Sequence, residues 1–551
     1  MEHERAVAPA LAGLVLIPLL GRAGQAVEPL DYRLDLCAPE SHRLQVALRI
    51  PRASASVRIQ FPAWNCLYQI RDFVKNVEEL EGACDGKGFS PEREDMNTWR
   101  GPREPCRQLE FHYAVYANED GPFGAILDAH HSFLNLALLL FYLPEARRQP
   151  IRVGFLLPAG WKLATTLEGD GEEFLAAGYD ALMDSPVEAG HFEEFSYRQD
   201  LSEPRRHPRG QASPQDAGAP GGAPPAKPAN IRLIIDADPA DYSPHALLDS
   251  LEKITTEETS LMRDLPFRHY TFFLHFPTEG SAVGGMEHRD GAAIAVSASE
   301  MRRGQGSFEG VAAHEFFHAW NVKRIRPQSL EPVDYIHGND TRDLWLCEGV
   351  TGTYTQLTLL RAGLIDRQEF YGRVARAIQA LGERSARRFQ SLETAGREAW
   401  LEKYPAYNRP DRSISYYNKG ELAGYLLDLG LRHATGNHAG LDDVMRRLNQ
   451  DFGRTGRFYT RADFSAINAQ LAPAFDIDGF LADTVRGTRD LDYSAYLGYA
   501  GLRLSVRRES APEKDGETGS REKYTIVEDA HATPAQRRVR EGWLAGATTD
   551  E

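Results

Sequence analysis

The chain is poor in cysteine, has no excess of basic residues and has no apolar stretch long enough to cross a membrane. Its five cysteines form no C-x-x-C pair, so a zinc site built from cysteines is not expected. Lys and Arg number 63 against 79 Asp and Glu, and the net charge of −16 argues against nucleic acid and other polyanions as partners. With 551 residues, 42% of them hydrophobic, the chain is long enough for two or three domains with separate cores.

The N-terminus carries one short apolar run. Leu11–Leu20 is apolar, and the small residues Gly24 and Ala26 follow it, which is typical of a cleaved signal peptide. The run is too short to span a bilayer. We therefore expect residues 1–26 to be a signal peptide and the protein to be exported, either to a periplasm or out of the cell. A cytoplasmic location is the alternative, because the acidic Glu2 stands where a positive region is usual.

Two of the cysteines are candidates for a disulfide. Cys84 and Cys106 flank a loop rich in glycine and charge, and an exported protein could join them. Sequence alone does not fix the connectivity, and five free thiols are the alternative.

The pattern of apolar residues changes along the chain from strand-like to helical. Short apolar stretches between Tyr32 and Ala164 predict a β-rich domain, and the dense run Phe133–Leu143 indicates buried core. Residues 202–230 hold seven Pro and four Gly, so we expect a disordered insertion in the β domain. Helical periodicity begins at Ser243, a predicted N-cap, and continues to about Val485, interrupted by the strand-like stretches HYTFFLHF and AAIAVS. The tail resumes a strand-like pattern.

The segment VAAHEFFHAW carries the pattern H-E-x-x-H. On a helix, His314 and His318 lie on one face, where both imidazoles can reach one tetrahedral metal ion. Glu315 lies beside them and can take a proton from a metal-bound water without being a ligand itself. His, His and carboxylate ligands suit zinc best, although sequence does not exclude another divalent ion.

A third protein ligand is needed, and Glu348 is the best candidate. It lies in LWLCEGVTGTYTQL, where the surrounding apolar residues predict a packed helix. A carboxylate among such residues needs a partner. An ordinary acid on a helix surface is the competing interpretation.

Two further segments carry groups that suit peptide chemistry. The glycines of Gly284-Gly285-Met286-Glu287 allow close approach of a substrate backbone, and Glu287 could bind a substrate ammonium group. In SYYNKG, a tyrosine hydroxyl could donate to the oxyanion of a tetrahedral intermediate. A simple Gly-Gly turn and two packing tyrosines are the competing interpretations.

Together these segments resemble the glycyl aminopeptidase family of gluzincin metallopeptidases. HEFFHAWNVKRIRP is similar to the family's extended zinc-helix motif, and Glu348 follows His318 by the family's spacing of thirty residues. GGMEH resembles its exopeptidase motif, SYYNKG its catalytic-tyrosine segment, and Phe61–Val77 a part of its β domain. Two features depart from the family pattern: Cys347 stands where a small residue is usual, and the Pro-rich insertion is not expected.

The resemblance implies a role for each residue and a fold. Glu287 would recognise the free α-amino group of the substrate, and Tyr417 would be the catalytic tyrosine, with Tyr416 as the alternative. The fold class would be α+β multidomain: an antiparallel N-terminal β domain, a mostly helical thermolysin-like catalytic domain and a short β-type tail. The expected boundaries are residues 27–240 for the β domain, 241–495 for the catalytic domain and 496–551 for a partial PDZ-like or irregular tail.

The sequence therefore predicts an aminopeptidase with one zinc ion per chain and peptides as substrates. The resemblance alone implies a preference for small N-terminal residues such as Gly or Ala. Two alternatives stay open. An endopeptidase would use the same zinc site with Glu287 in a structural role, and a non-catalytic peptide-binding scaffold would keep only the fold.

Overall fold

The protein is described here by a computed structural model that covers residues 27–64, 72–201, 228–277, 283–401, 404–512 and 518–548. The predicted signal peptide and nearly all of the predicted insertion at 202–230 lie outside these ranges. No helix in the described ranges is long and apolar enough to cross a membrane.

The N-terminal domain is built from three sheets and one short helix. Its elements are β1 (Leu30–Asp35), β2 (Arg43–Ala53), β3 (Arg58–Gln60), β4 (Val77–Cys84), β5 (Lys87–Phe89), β6 (Glu92–Arg93), β7 (Thr98–Arg100), β8 (Cys106–Tyr116), β9 (Ala125–Leu127), β10 (His131–Leu134), β11 (Ile151–Leu156), β12 (Lys162–Thr165), β13 (Glu168–Asp170), β14 (Glu173–Ala176), α1 (Tyr179–Met183) and β15 (Val187–Gly190). The main sheet has the order β13-β14-β11-β1-β2-β8-β4-β5. Its neighbouring strands are antiparallel except β1 and β11, which are parallel.

The main sheet forms because its strands alternate apolar and polar residues. In β2, Leu44, Val46, Leu48 and Ile50 are buried, while Gln45 and Arg49 between them are exposed. A disulfide joins Cys84 at the end of β4 to Cys106 at the start of β8, so the pairing that the sequence left open is present.

A four-stranded sheet, β12-β15-β10-β9, forms the side of this domain that faces the rest of the protein. The apolar run Phe133–Leu143 begins in β10 and is buried throughout, as predicted. The third sheet, β3-β7-β6, is small, and its strands come earlier in the chain than those of the four-stranded sheet.

The catalytic domain starts with a five-stranded sheet of order β16-β17-β18-β20-β19. Its strands are β16 (Glu193–Gln199), β17 (Ala229–Asp236), β18 (His269–His275), β19 (Gly284–His288) and β20 (Gly291–Ala295). β16 pairs with β17, and β17 pairs with β18, so two strands that come before residue 240 belong to this sheet. The predicted insertion lies in the connection between these two neighbouring strands.

Helices make up the rest of the catalytic domain. They are α2 (Pro244–Met262), α3 (Ala298–Met301), α4 (Gly306–Phe317), α5 (Val350–Arg361), α6 (Arg367–Gly382), α7 (Leu392–Arg397), α8 (Tyr416–Ala434), α9 (Leu441–Asp451), α10 (Arg461–Leu471), α11 (Ile477–Phe480) and α12 (Tyr493–Tyr499). Helix α2 has Ser243 as its N-cap residue and begins at Pro244, as predicted. A single π-helical turn, Trp345–Gly349, leads directly into α5.

The tail is one antiparallel hairpin, β21 (Leu502–Pro512) and β22 (Thr518–Glu528), followed by α13 (Pro534–Ala545). It packs on α6 and α8, and Trp543 of α13 is fully buried against Phe370 and Tyr425. Arg432, buried in α8, donates a hydrogen bond of 2.9 Å to the carbonyl oxygen of Ala547. The predicted fold class, a β domain followed by a helical domain and a short β-type tail, is confirmed.

Candidate metal centre

Helix α4 positions the two histidines. Phe308, Phe316 and Phe317 are fully buried and fix the helix against α2, α5 and the five-stranded sheet. His314 lies in the last turn, and His318 is the first residue after it, still with helical backbone angles. The regular helix ends at Phe317. The ring centroids of the two histidines are 4.8 Å apart.

Glu348 meets both histidines from the π-helical turn. Its Oε2 atom lies 3.2 Å from Nε2 of His314 and 3.3 Å from Nε2 of His318, and the residue is 2% exposed. The buried Trp345 and Leu346 hold this turn in the core. The three donor atoms therefore converge on one point, within 4.8 Å of one another.

The other nitrogen of each imidazole is held by a hydrogen bond that the sequence analysis missed. Nδ1 of His314 lies 3.2 Å from the hydroxyl of Thr355, which itself donates to the carbonyl of Thr351 and so accepts from the histidine. Nδ1 of His318 donates to the backbone oxygen of Asn321 at 2.5 Å. Both contacts leave the Nε2 atoms facing Glu348, on the side of each ring from which an imidazole can ligate a metal ion.

Asn321 also ties the two ligand-bearing segments together. Its buried Nδ2 atom donates to the carbonyl oxygens of Leu346 at 2.8 Å and Cys347 at 3.2 Å. The only signal in the sequence was position: Asn321 follows His318 by three residues, and Thr355 follows Glu348 by seven, on the same face of a helix.

The residues at this point fit a zinc ion. Two imidazoles and a carboxylate are donors that zinc takes from proteins, with a fourth position left for water. Burial alone would raise the pKa of Glu348, but the charge of His318 and hydrogen bonds from both imidazoles lower it below its ordinary value. Glu287 and Glu315 add two more buried carboxyl groups near His318. A divalent cation would balance this concentration of negative charge.

Glu315 is buried beside the ligands and points toward β19. Burial raises its pKa well above the ordinary value; His318 lowers it, and the nearby Glu287 and Glu348 raise it. Its carboxylate lies directly over Gly285, where a Cβ atom would overlap it. From the sequence, these glycines were expected to allow close approach of a substrate backbone. At Gly285 the missing side chain instead makes room for Glu315.

The GGMEH segment is itself a strand, β19, and it forms one edge of the five-stranded sheet. Gly284 has φ of +134°, a conformation that favours glycine. Glu287 is 7% exposed, and one of its carboxylate oxygens lies within 4.8 Å of donor atoms of both Glu315 and His318. Met286 faces the N-terminal domain, where Nδ2 of Asn135 lies 3.0 Å from its sulfur.

Of the two adjacent tyrosines, Tyr417 is the one beside the metal centre and open to solvent. Its ring centroid lies 6.1 Å from that of His314, and the residue is 40% exposed. Tyr416 is 3% exposed and belongs to the core. Helix α8, which carries both, packs so closely on the π-helical turn that a Cβ atom at Gly349 would overlap the backbone of Gly420.

Comparison with known proteins agrees with this geometry. The model of the M61 glycyl aminopeptidase family matches residues 307–423, and that of the M61 N-terminal domain matches residues 31–191. Together the two ranges cover about half of the chain.

The chain belongs to the M61 glycyl aminopeptidase family. It is therefore a metallopeptidase, and peptides are its class of substrate. No curated protein is similar enough in sequence to match.

One solved structure shares the fold of this M61 chain, and a second is similar to it at a lower score. A crystal structure of an aminopeptidase N family protein from Idiomarina loihiensis is 23% identical and covers 91% of this chain and 86% of its own, with a TM-score of 0.76. An M1 zinc metallopeptidase from Deinococcus radiodurans is 15% identical and covers 84% of this chain and 94% of its own, with a TM-score of 0.49. The first of these likenesses shows that the whole architecture is shared.

The close contact of Gly285 with Glu315 generates a prediction. In Gly285→Ala, the added methyl group should displace the Glu315 carboxylate, and kcat should fall about 100-fold, the scale expected for a misplacement of about 1 Å. Metal content should not change. Gly310→Ala is the matched control, because a Cβ atom at this position on α4 meets no atom within 4 Å. Full activity in Gly285→Ala would show that Glu315 does not need this space.

Proposed function

We propose that the protein is a zinc aminopeptidase that hydrolyses the peptide bond next to a free N-terminus. The observation that carries the proposal is the position of Glu287, a buried carboxylate at the wall of the metal centre on an edge strand. A carboxylate there can pair with a substrate α-ammonium group, and this pairing would set the distance from the N-terminus to the reacting bond. An endopeptidase would gain nothing from such a group.

The residues around the metal supply the parts of a hydrolytic reaction. A zinc ion held by His314, His318 and Glu348 would act as a Lewis acid on the scissile carbonyl and lower the pKa of a bound water. Glu315 then takes a proton from the attacking water, since its carboxylate lies next to the ligands without being one of them. The same carboxyl group can pass the proton to the leaving amine.

Tyr417 would donate a hydrogen bond to the oxyanion of the tetrahedral intermediate. Its exposure and its position beside His314 support this role, whereas the burial of Tyr416 speaks against the alternative.

We also propose a preference for small N-terminal residues and one zinc ion in this centre. The family's description as glycyl aminopeptidases supports the preference. The ring of Phe123, which a Cβ atom at Gly284 would approach to 3.8 Å, limits the space at the start of β19. The thermolysin-like character of the catalytic domain belongs to the same proposal and is supported by helices α4 and α5 and by the edge strand β19.

Hydrolysis of paired substrates tests the reaction. Wild type should cleave glycyl- and alanyl-anilides faster than leucyl- or phenylalanyl-anilides and should not cleave the N-acetylated forms. Glu315→Gln should keep its zinc and lose activity by at least about 100-fold. Glu287→Gln should lower kcat/KM for free amines by about 100-fold without lowering it for acetylated substrates. Equal cleavage of blocked and free peptides by wild type would replace this proposal with an endopeptidase.

The role of Tyr417 has its own test. Tyr417→Phe removes the hydroxyl that would contact the oxyanion, so kcat should fall about 100-fold or more while KM changes little. Tyr416→Phe is the matched control on the preceding residue and should keep kcat within a few-fold. If the two substitutions exchange these effects, Tyr416 is the donor.

We propose, finally, that the protein is exported after removal of residues 1–26. The apolar run Leu11–Leu20 supports export, as does the disulfide between Cys84 and Cys106, because disulfides persist in oxidising compartments. Expression of the full chain in a bacterium, followed by fractionation and mass spectrometry, tests it. We expect periplasmic protein without the first 26 residues, and uncleaved protein in the cytoplasm would contradict the proposal.

A further inference from the structure

A second group of metal-ligating side chains lies at the contact between the two domains. There the four-stranded sheet of the N-terminal domain packs against the five-stranded catalytic sheet through a separate apolar cluster, which includes Phe133 and Phe273. At the edge of this apolar cluster lie four polar side chains from four strands, which together form the interdomain cluster: His131, Glu188, Asp236 and His275.

The donor atoms of these four side chains lie close to one another. Nδ1 of His131 lies 3.2 Å from Oε1 of Glu188 and 3.3 Å from Oδ2 of Asp236. Nε2 of His275 lies 2.8 Å from Oε2 of Glu188. Donor atoms of His131, Glu188 and His275 all lie within 4.8 Å of one another, and Asp236 joins this group through its contact with His131.

Burial and charge also favour a cation there. The side chain of Glu188 is fully buried and that of His275 is 6% exposed, so both are removed from water. Asp236 is 29% exposed and gives the cluster one open side through which an ion can enter. Glu188 and Asp236 both contact Nδ1 of His131, and two ionised carboxylates beside one atom repel each other unless a positive charge lies between them.

The backbone is arranged to bring these side chains together. His131 lies opposite Gly190 in the antiparallel pair of β10 and β15, and a Cβ atom at Gly190 would come within 3.1 Å of the Cβ of His131. Gly190 also has φ of +152°, which favours glycine. Asp236 lies directly opposite His275 in the parallel pair of β17 and β18, so both side chains emerge at the same end of the sheet.

The same row of paired residues in the five-stranded sheet continues to β19, the strand that carries Glu287. His275 pairs with Ala295 of β20, and Ala295 pairs with Gly284 of β19. Neighbouring strands lie about 4.8 Å apart, so the cluster is about 10 Å from Gly284. An ion bound in the cluster would fix the N-terminal domain against the sheet that ends in the exopeptidase segment.

We propose that His131, Glu188, His275 and Asp236 bind a second divalent metal ion of the zinc class, with a structural role between the domains. Two imidazoles and two carboxylates provide four ligands, so the site would be closed, as structural zinc sites are. The ion would be additional to the single zinc proposed for the catalytic centre.

The competing arrangement is an ion-pair cluster without a metal. Burial lowers the pKa of His131, but the hydrogen bond and charge of Glu188 and the charge of Asp236 raise it to about 9. A protonated imidazole could then pair with both carboxylates. Metal stoichiometry separates the two arrangements, because only one of them binds a second ion.

The experiment counts zinc in the full-length protein after saturation with zinc and gel filtration. Wild type should hold two ions. His275→Ala and Glu188→Gln should hold one and remain active, and His318→Ala, which removes a catalytic ligand, should also hold one. His130→Ala is the matched control, since this exposed neighbour of His131 lies outside the cluster and should leave two ions bound.

Cobalt gives a readout that does not depend on activity. In the His318→Ala protein, added Co²⁺ should produce visible absorption bands and raise the Tm, and both effects should disappear when His275→Ala is combined with it. Because His318→Ala leaves the interdomain cluster intact, the test holds even if the cluster variants do not fold. One zinc in wild type and none in His318→Ala would overturn the proposal.

Discussion

A metal centre whose ligands come from two separate segments needs a contact that fixes those segments against each other, and the buried side chain of Asn321 provides it. Its amide donates to the carbonyls of Leu346 and Cys347, next to Glu348, while its own backbone oxygen accepts from His318. One residue thus sets both the orientation of an imidazole and the position of the carboxylate that faces it. Ligand geometry of this kind is prepared before any ion arrives.

The π-helical turn that carries Glu348 connects this contact to the rest of the site. It touches the end of α4 through Asn321, and it touches α8 where Gly349 and Gly420 meet without side chains. Tyr417 lies in the first turn of helix α8, so the distance between this tyrosine and the metal ligands depends on a backbone-to-backbone contact. Any side chain at Gly349 would separate the two.

Side chains of the N-terminal domain contact the segments that form the site. Asn135 contacts Met286 in β19. Asp184 accepts hydrogen bonds from the backbone nitrogen of Arg289 at 3.2 Å and from the side chain of Lys323 at 2.9 Å. These contacts hold both the strand that carries Glu287 and the segment after His318. The position of the Glu287 carboxylate is therefore set partly by a domain other than the one that carries it.

The residue pattern predicted the metal centre better than the domain arrangement. Spacing within H-E-x-x-H fixes the histidines because a helix has a regular period, and Glu348 stood out as an acid among apolar residues. Strand partners leave no such local trace: nothing in the sequence of β16 or β17 shows that β17 pairs with β18 and that both strands belong to the five-stranded sheet. The reason why position 285 needs a glycine was also missed, because Glu315, which occupies the space of its side chain, is thirty residues away in sequence.

The pairing of β16 with β17 brings the two ends of the long connection between them together. Gln199 lies opposite Ala229, so the chain leaves the sheet and returns to it at one place. Closing a loop costs free energy that grows only with the logarithm of its length, and no other described strand separates these two ends. This point of the surface can therefore accept a whole inserted domain, or new chain termini, while the sheet and the metal centre keep their geometry.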